Sequence, residues 1–327
     1  MKRRALICGI SGQDGAYLAE LLLRREYEVW GTSRDAEMAS FHNLERLGIR
    51  NRINPVSLNL RDSAQTFRLI QQLRPDEVYN LAAQSSVGLS FEQPVETIES
   101  IIPASVNLLE AIRLTGAETR VYNAGSTECF GDTCGRVADE SSPFRPTSPY
   151  AVAKAATHWI VASYRQAYKL FACTGILSNH DSPLRPARFV TRKIVRAAAE
   201  ISRGISRRLT LGNLHIERDW GWAPDYVEAM WLMLQRAEPE DFVVATGESY
   251  TLSEFVEVAF RCVNLDWRDH VDVDHTLLRP TDIEHSSFNP AKARQLLNWK
   301  PSRSMPEIVS AIVEAELLNL TQERGSG

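Results

Sequence analysis

The chain has 327 residues, 44% of them hydrophobic and 24% charged, an ordinary balance for a globular protein. A formal net charge of -4 argues against a sequence-wide nucleic-acid footprint, and no run approaches the roughly 20 apolar residues of a membrane span. The five cysteines (Cys8, Cys129, Cys134, Cys173, Cys262) are scattered without metal-site spacing, so reduced thiols and no metal are expected.

Met1-Lys2-Arg3-Arg4 precedes an apolar stretch, Ala5 to Gly9, that is too short for the core of a signal peptide, and a cytoplasmic protein is expected. Arg4 to Gly9 reads as a buried strand, Ala16 to Arg25 as a helix and Glu28 to Ser33 as a second strand. Further strands are expected near Ile53 to Leu58, Glu77 to Ala82, Arg120 to Ala124 and Phe171 to Leu177. Helical patterns fill the intervals: Ala64 to Leu73, Val95 to Thr115 and Tyr150 to Ala167. The second half offers helices near Thr191 to Arg203, Asp225 to Gln235, Leu252 to Cys262, Ala291 to Leu297 and Pro306 to Leu320. One strand there, Phe242 to Ala245, is expected to return to the sheet. Alternation of this kind predicts an α/β fold: a Rossmann-type, doubly wound parallel sheet with a smaller, interleaved C-terminal α/β substrate lobe. Residues 1–178 are expected to bind the cofactor, with the sheet completed by a later segment near 222–248, and residues 179–327 mainly the substrate.

Gly9-Ile10-Ser11-Gly12-Gln13-Asp14-Gly15 stands between the first strand and the first helix. Glycines there let the backbone turn sharply and approach a pyrophosphate, whose charge is favoured at a helix N-terminus. After the second strand, Arg34 suits the 2′-phosphate of NADP, with help from Thr32 and Ser33; the adjacent Asp35 could instead serve an NAD ribose. Asn59 and Leu60 follow the third strand, where the adenine would lie. Leu81, Ala83 and Ser85 follow the fourth, near the ribose and pyrophosphate.

Ser148-Pro149-Tyr150-Ala151-Val152-Ala153-Lys154 places Tyr150 and Lys154 on one face of a helix. A phenol with a reference pKa near 10 is a poor base at neutral pH. A neighbouring cation favours the phenolate, so Lys154 is expected to depress Tyr150 while also holding the nicotinamide ribose. Gly125-Ser126-Thr127-Glu128, at the end of the fifth strand, supplies hydroxyls and a carboxylate. Glu128 moves the expectation from simple redox to dehydration. Loss of water from a sugar needs a group that removes a proton from carbon and returns one to the leaving hydroxyl.

Over nearly its whole length the chain resembles the GDP-mannose 4,6-dehydratase family of extended short-chain dehydrogenases. The resemblance rests on the glycine loop, on Tyr79-Asn80-Leu81-Ala82-Ala83-Gln84-Ser85 and, more specifically, on Asn179-His180-Asp181-Ser182-Pro183, Phe189-Val190-Thr191-Arg192-Lys193, Arg218-Asp219-Trp220-Gly221 and Asp225 to Trp231. It implies that Tyr150 with Lys154 deprotonates the sugar 4-hydroxyl and that Ser126 holds the 4-oxygen. It further implies that Glu128 takes the C5 proton and assists loss of water from C6. Gly9, Ser11, Gly12, Gln13, Asp14, Gly15, His180 and Arg185 would contact NADP. Ser86, Asn179, Val190, Lys193, Arg218, Arg279 and Asp282 would hold the GDP-sugar. A homodimer or homotetramer would form through the two long helices beginning near Val95 and Tyr150.

The chain departs from the family pattern at several points. Ser126-Thr127 stands for Thr-Ser, Asp181 and Asp282 for Glu, and Glu96 for a cofactor-contacting Tyr. Asp35 to Ser40 replaces an Arg- and Ser-rich loop linked to tetramer contacts. A GDP-manno-heptose is a second substrate that suits these changes. Two further readings stay open: a nucleotide-sugar epimerase or reductase on the same fold, and an NADP-sensing regulator without chemistry.

Overall fold

β1 (Arg4–Cys8) is buried at four consecutive positions, which a strand tolerates when helices cover both faces of its sheet. The computed structural model, which describes residues 2–277 and 280–325, contains that sheet. It joins β1 to β2 (Glu28–Ser33), β3 (Asn54–Ser57), β4 (Glu77–Asn80), β5 (Arg120–Ala124), β6 (Ala172–Leu177) and β10 (Phe242–Val244). The order is β10-β6-β5-β4-β1-β2-β3, and every pairing is parallel. The chain winds outward from β1 to β3, then returns to the other side of β1 with β4. That reversal opens a crevice at the carboxyl ends of β1 and β4, where α/β sheets bind their ligands.

Side chains alternate across the sheet as the pleat demands. Ala5 and Ile7 pack with Leu18 and Leu22 of α1 (Gln13–Arg24) and with Met230 of α8 (Ala223–Leu234). Leu6 and Cys8 face the other way. They meet Ile70 of α3 (Ser63–Leu73), Leu108 and Ile112 of α5 (Pro94–Thr115) and Val161 of α6 (Pro149–Tyr168). Two short helices, α2 (His42–Arg46) and α4 (Val87–Glu92), sit in loops at the carboxyl edge.

The smaller lobe is built on β7 (Asn179–Asp181), β9 (Glu217–Trp222) and β11 (Ser249–Thr251), in the order β11-β9-β7, with β8 (Leu209–Leu211) paired to β12 (Val271–Val273). Trp220 packs there against Phe255 of α9 (Leu252–Arg261), Ile194 of α7 (Val190–Ser202) and Ile308 of α11 (Met305–Gly325). α10 (Ala291–Leu297) turns back onto the main sheet, its Ala293 joining the core of α1 and α8. The strands of the smaller lobe (β7, β8, β9, β11 and β12) and the two short helices were not anticipated from sequence, whereas β10 returns to the main sheet as expected; segments of three to six residues carry little period to read. Among the described residues no helix is long and apolar enough to cross a membrane.

Candidate active site

The glycine loop folds as its residue types require. Gly9 holds φ of +87°, and a Cβ there would lie 2.9 Å from the Ala82 backbone; a Cβ on Gly15 would overlap the Gly9 carbonyl. The loop closes on itself through Gly12 N–H donating to the Gly9 carbonyl at 3.1 Å, and α1 starts one residue later. The free amides of its first turn face a cleft of about 610 Å³. This cradle at a helix N-terminus, with no side chain at Gly9, Gly12 or Gly15, fits a dinucleotide pyrophosphate.

Polar residues of the loop tie it to the small lobe. Gln13 is buried, donating to the His180 carbonyl at 3.2 Å and accepting from the Ser182 hydroxyl at 2.8 Å. Asp14 Oδ2 lies 2.9 Å from His180 Nε2, and His180 Nδ1 lies 2.8 Å from the Ser178 carbonyl. Both ring nitrogens therefore face acceptors, an arrangement satisfied by the imidazolium. Burial opposes charge on both partners, but their mutual attraction outweighs it. His180 is held above its ordinary value, and Asp14 is brought down to about 2 with help from Gln13 and Arg185. The imidazole also stacks on Tyr226 with ring centroids 4.4 Å apart.

Ser148 caps α6, its hydroxyl accepting from the Ala151 amide at 3.1 Å, and Pro149 takes the first helical position. Tyr150 and Lys154 thereby project from the first turns of α6 toward the end of β5. Lys154 Nζ donates to the Ala124 carbonyl at 2.6 Å and lies 5.8 Å from the centre of the Tyr150 ring. Burial brings Lys154 down to about 8. Burial also pushes Tyr150 up, with the Ser126 hydroxyl pulling the other way. The expected depression of Tyr150 by Lys154 is therefore absent. The ammonium is turned to a carbonyl, and removal from water governs both groups.

Ser126 follows β5 and accepts from the Glu128 amide at 3.3 Å, opening a single 3₁₀ turn, Thr127–Phe130. That turn aims Glu128 into the cleft, and among the described residues its carboxylate makes no hydrogen bond. Three cations, Arg185, Lys193 and Arg218, also line the cleft. Arg185 Nε lies 3.2 Å from Asp181 Oδ1, Lys193 Nζ donates to the Thr210 carbonyl at 2.7 Å, and Arg218 donates to the Ile283 carbonyl at 2.7 Å. Such fixed cations suit a diphosphate.

Of the residues proposed from sequence, the cleft gathers Gly9, Ser11, Gly12, Gln13, Asp14, Gly15, Leu81, Ala83, Ser85, Ser86, Ser126, Glu128, Tyr150, Lys154, Asn179, His180, Arg185, Val190, Lys193 and Arg218. Arg34, Asn59, Leu60 and Asp282 do not line it. Arg34, Asn59 and Leu60 follow β2 and β3, farther out along the same carboxyl edge. Leu60 is buried in the core beneath α3 and α5, with its carbonyl accepting from Asn107. Asp282 Oδ1 lies 3.8 Å from Arg218 Nη2. Arg279 falls outside the described residues. Sequence reading missed Arg188, Phe189, Gly212 and Trp220 as cleft residues. Arg188 was legible as one more cation in the Arg-rich tract before α7; Phe189 and Trp220 stand in the motifs Phe189 to Lys193 and Arg218 to Gly221, but nothing local marks them as cleft residues, and Gly212 lies in a loop after β8.

The GDP-mannose 4,6 dehydratase family profile matches residues 6–312. GDP-mannose 4,6 dehydratase 1 of Arabidopsis thaliana is 44% identical over 326 residues, covering 97% of this chain and 90% of its own. GDP-mannose 4,6-dehydratase of Vibrio cholerae is 39% identical over 351 residues, covering 97% and 94%. Among solved structures, UDP-glucose 4-epimerase of Thermus thermophilus in complex with NAD superposes with a TM-score of 0.84 at 28% identity, covering 96% of this chain and 98% of the epimerase. With sequence, profile and architecture in agreement over nearly its full length, the chain belongs to the GDP-mannose 4,6-dehydratase family.

Proposed function

We propose that the protein is an NADP-dependent GDP-mannose 4,6-dehydratase, converting GDP-D-mannose to GDP-4-dehydro-6-deoxy-D-mannose. The observation that carries this reading is the meeting of Tyr150 and Glu128 in one cleft with the glycine loop. A nicotinamide dinucleotide held by the glycine loop and Lys154 would supply the acceptor for the C4 hydride and the donor that restores it at C6. Tyr150 takes the 4-hydroxyl proton, and Ser126 holds the oxygen as it becomes a ketone. That ketone acidifies the C5 hydrogen. Glu128 removes it, then gives a proton to the departing C6 hydroxyl, so one carboxylate serves as base and acid in turn. Lys193 and Arg218 hold the diphosphate of the GDP-sugar and keep the hexose in register, while Arg185, beside Asp14 and His180, serves the cofactor.

Arg34 at the end of β2 supports NADP over NAD. Asp35, the competing ribose acceptor, instead turns its Oδ1 to the amides of Glu37 and Met38, each at 3.0 Å. The division of labour follows the fold: residues 1–178 with the returning segment near 222–248 hold the cofactor, and most of 179–327 holds the GDP-sugar. A homodimer through α5 and α6 is supported by Val95 and Trp159, which these adjacent helices leave 66% and 63% exposed.

Incubation with GDP-mannose and NADP+ is expected to give a product lighter by one water in mass spectrometry. If neither GDP-mannose nor GDP-manno-heptose loses water, the reading fails.

A further inference from the structure

Beyond the outer end of the cleft, four charged side chains from three elements form one cluster. Arg34 leaves the end of β2, Arg61 follows β3, and Glu96 and Glu99 stand on the first two turns of α5. Arg34 Nη1 lies 3.7 Å from Glu96 Oε1, and Arg61 Nη1 lies 3.2 Å from Glu96 Oε2. Arg61 Nη2 pairs with Glu99 Oε2. Glu96 thus divides its two oxygens between two guanidinium groups, and within the cluster the cations and carboxylates cancel. The Arg34 side chain is 84% exposed, leaving its remaining donors free to meet a ligand from solvent.

The end of β2 is where a doubly wound sheet receives the adenosine ribose, and an arginine there meets the 2′-phosphate that separates NADP from NAD. A phosphate drawn to Arg34 and Arg61 approaches the Glu96 carboxylate at the same time. It repels Glu96 and competes with it for the same N–H groups. A 2′-hydroxyl carries no charge and meets neither penalty. We propose that Glu96 is a specificity-determining residue, a built-in competitor for the 2′-phosphate that narrows the preference of this protein for NADP over NAD. The inference rests on the dinucleotide reading of the cleft and deepens it.

The test is calorimetric titration of the intact protein with NADP+ and with NAD+ at low salt, in the parent, Glu96→Gln and Glu99→Gln forms. Glutamine keeps the size of Glu96 and removes its charge. The group is part-exposed on a helix surface, so the fold is retained, as thermal unfolding verifies. Glu96→Gln is expected to tighten NADP+ binding by about three- to tenfold and to change NAD+ binding by less than about twofold. Glu99→Gln, which releases Arg61 alone, is expected to give a smaller gain. Unchanged NADP+ affinity in Glu96→Gln overturns the proposal, as does an equal gain for both nucleotides. Weaker NADP+ binding also overturns it, because Glu96 would then be positioning Arg34 for the phosphate. Binding of neither nucleotide to the parent protein overturns both this inference and the cofactor reading beneath it.

Discussion

Tyr150 and Glu128 stand on different elements and serve opposite halves of the proposed reaction, so their variants separate. Tyr150→Phe is expected to block oxidation at C4, with no near-ultraviolet signal of reduced nicotinamide when GDP-mannose and NADP+ are mixed in a single turnover. Glu128→Gln is expected to keep that signal while kcat for water loss falls by about 10²- to 10⁴-fold. Equal loss of both signals in the two variants contradicts the division of roles. The Asp14–His180 pair yields a second test. Asp14 holds its proton less tightly folded than unfolded, so its contribution is present above the ordinary Asp range and is lost as pH falls toward about 2. His180 is shifted the other way, so its contribution is complete below about pH 6.5 and fades as pH rises through the folded value. The pair is therefore strongest between roughly pH 4 and 6.5. In Asp14→Asn, burial acts on His180 without the opposing charge. Its imidazole titration, followed by NMR, is expected to drop from above the ordinary value to below it; an unmoved titration refutes the pairing.

At the scale of elements, α6 carries the site because its start is locked. Removing the Ser148 hydroxyl takes away the cap two residues before Tyr150. Ser148→Ala is expected to lower stability by about 1 kcal/mol in denaturant unfolding and to lower kcat more than it raises KM; an unchanged kcat separates cap from catalysis. The long helices and the strands of the main sheet were readable to within a residue or two at most ends. Each has its own period and its own punctuation, such as Ser148-Pro149 before α6 or Asp62 capping α3 through the Gln65 amide. The small lobe was less legible. β7 and β9 are defined by pairing with each other across some 40 residues of chain, a tertiary fact that no local pattern records. For the same reason the bonds from the Gln13 side chain to His180 and Ser182 could not be read in advance, although Gln13 does line the cleft. The Lys154 ammonium likewise turns to the Ala124 carbonyl, a partner visible only once α6 is laid on β5.

On the scale of the whole molecule, a cleft between sheet and lobe holds buried charge that the fold would be more stable without. Lys154 falls to about 8, so below that pH its charge opposes folding, and the penalty is relieved as pH rises toward the unfolded value. Lys154→Met is therefore expected to raise Tm by roughly 1–3 °C at neutral pH while abolishing turnover, the exchange of stability for function typical of active sites. A lowered Tm would show that the Ala124 bond outweighs burial. Light scattering is expected to give a dimer for the parent protein and a monomer for Trp159→Glu; a monomeric parent contradicts the proposed pairing of α5 and α6.

The central claim is that hydrogen moves from C4 to C6 within one enclosed sugar, between Tyr150 and Glu128, without escaping to solvent. GDP-mannose carrying deuterium at C4, turned over with unlabelled NADP+ and examined by NMR and mass spectrometry, tests it most directly. The expected product is a 4-keto-6-deoxy sugar with the deuterium at C6. A dehydrated product that has lost its deuterium, or an epimerised sugar that has lost no water, would contradict the account.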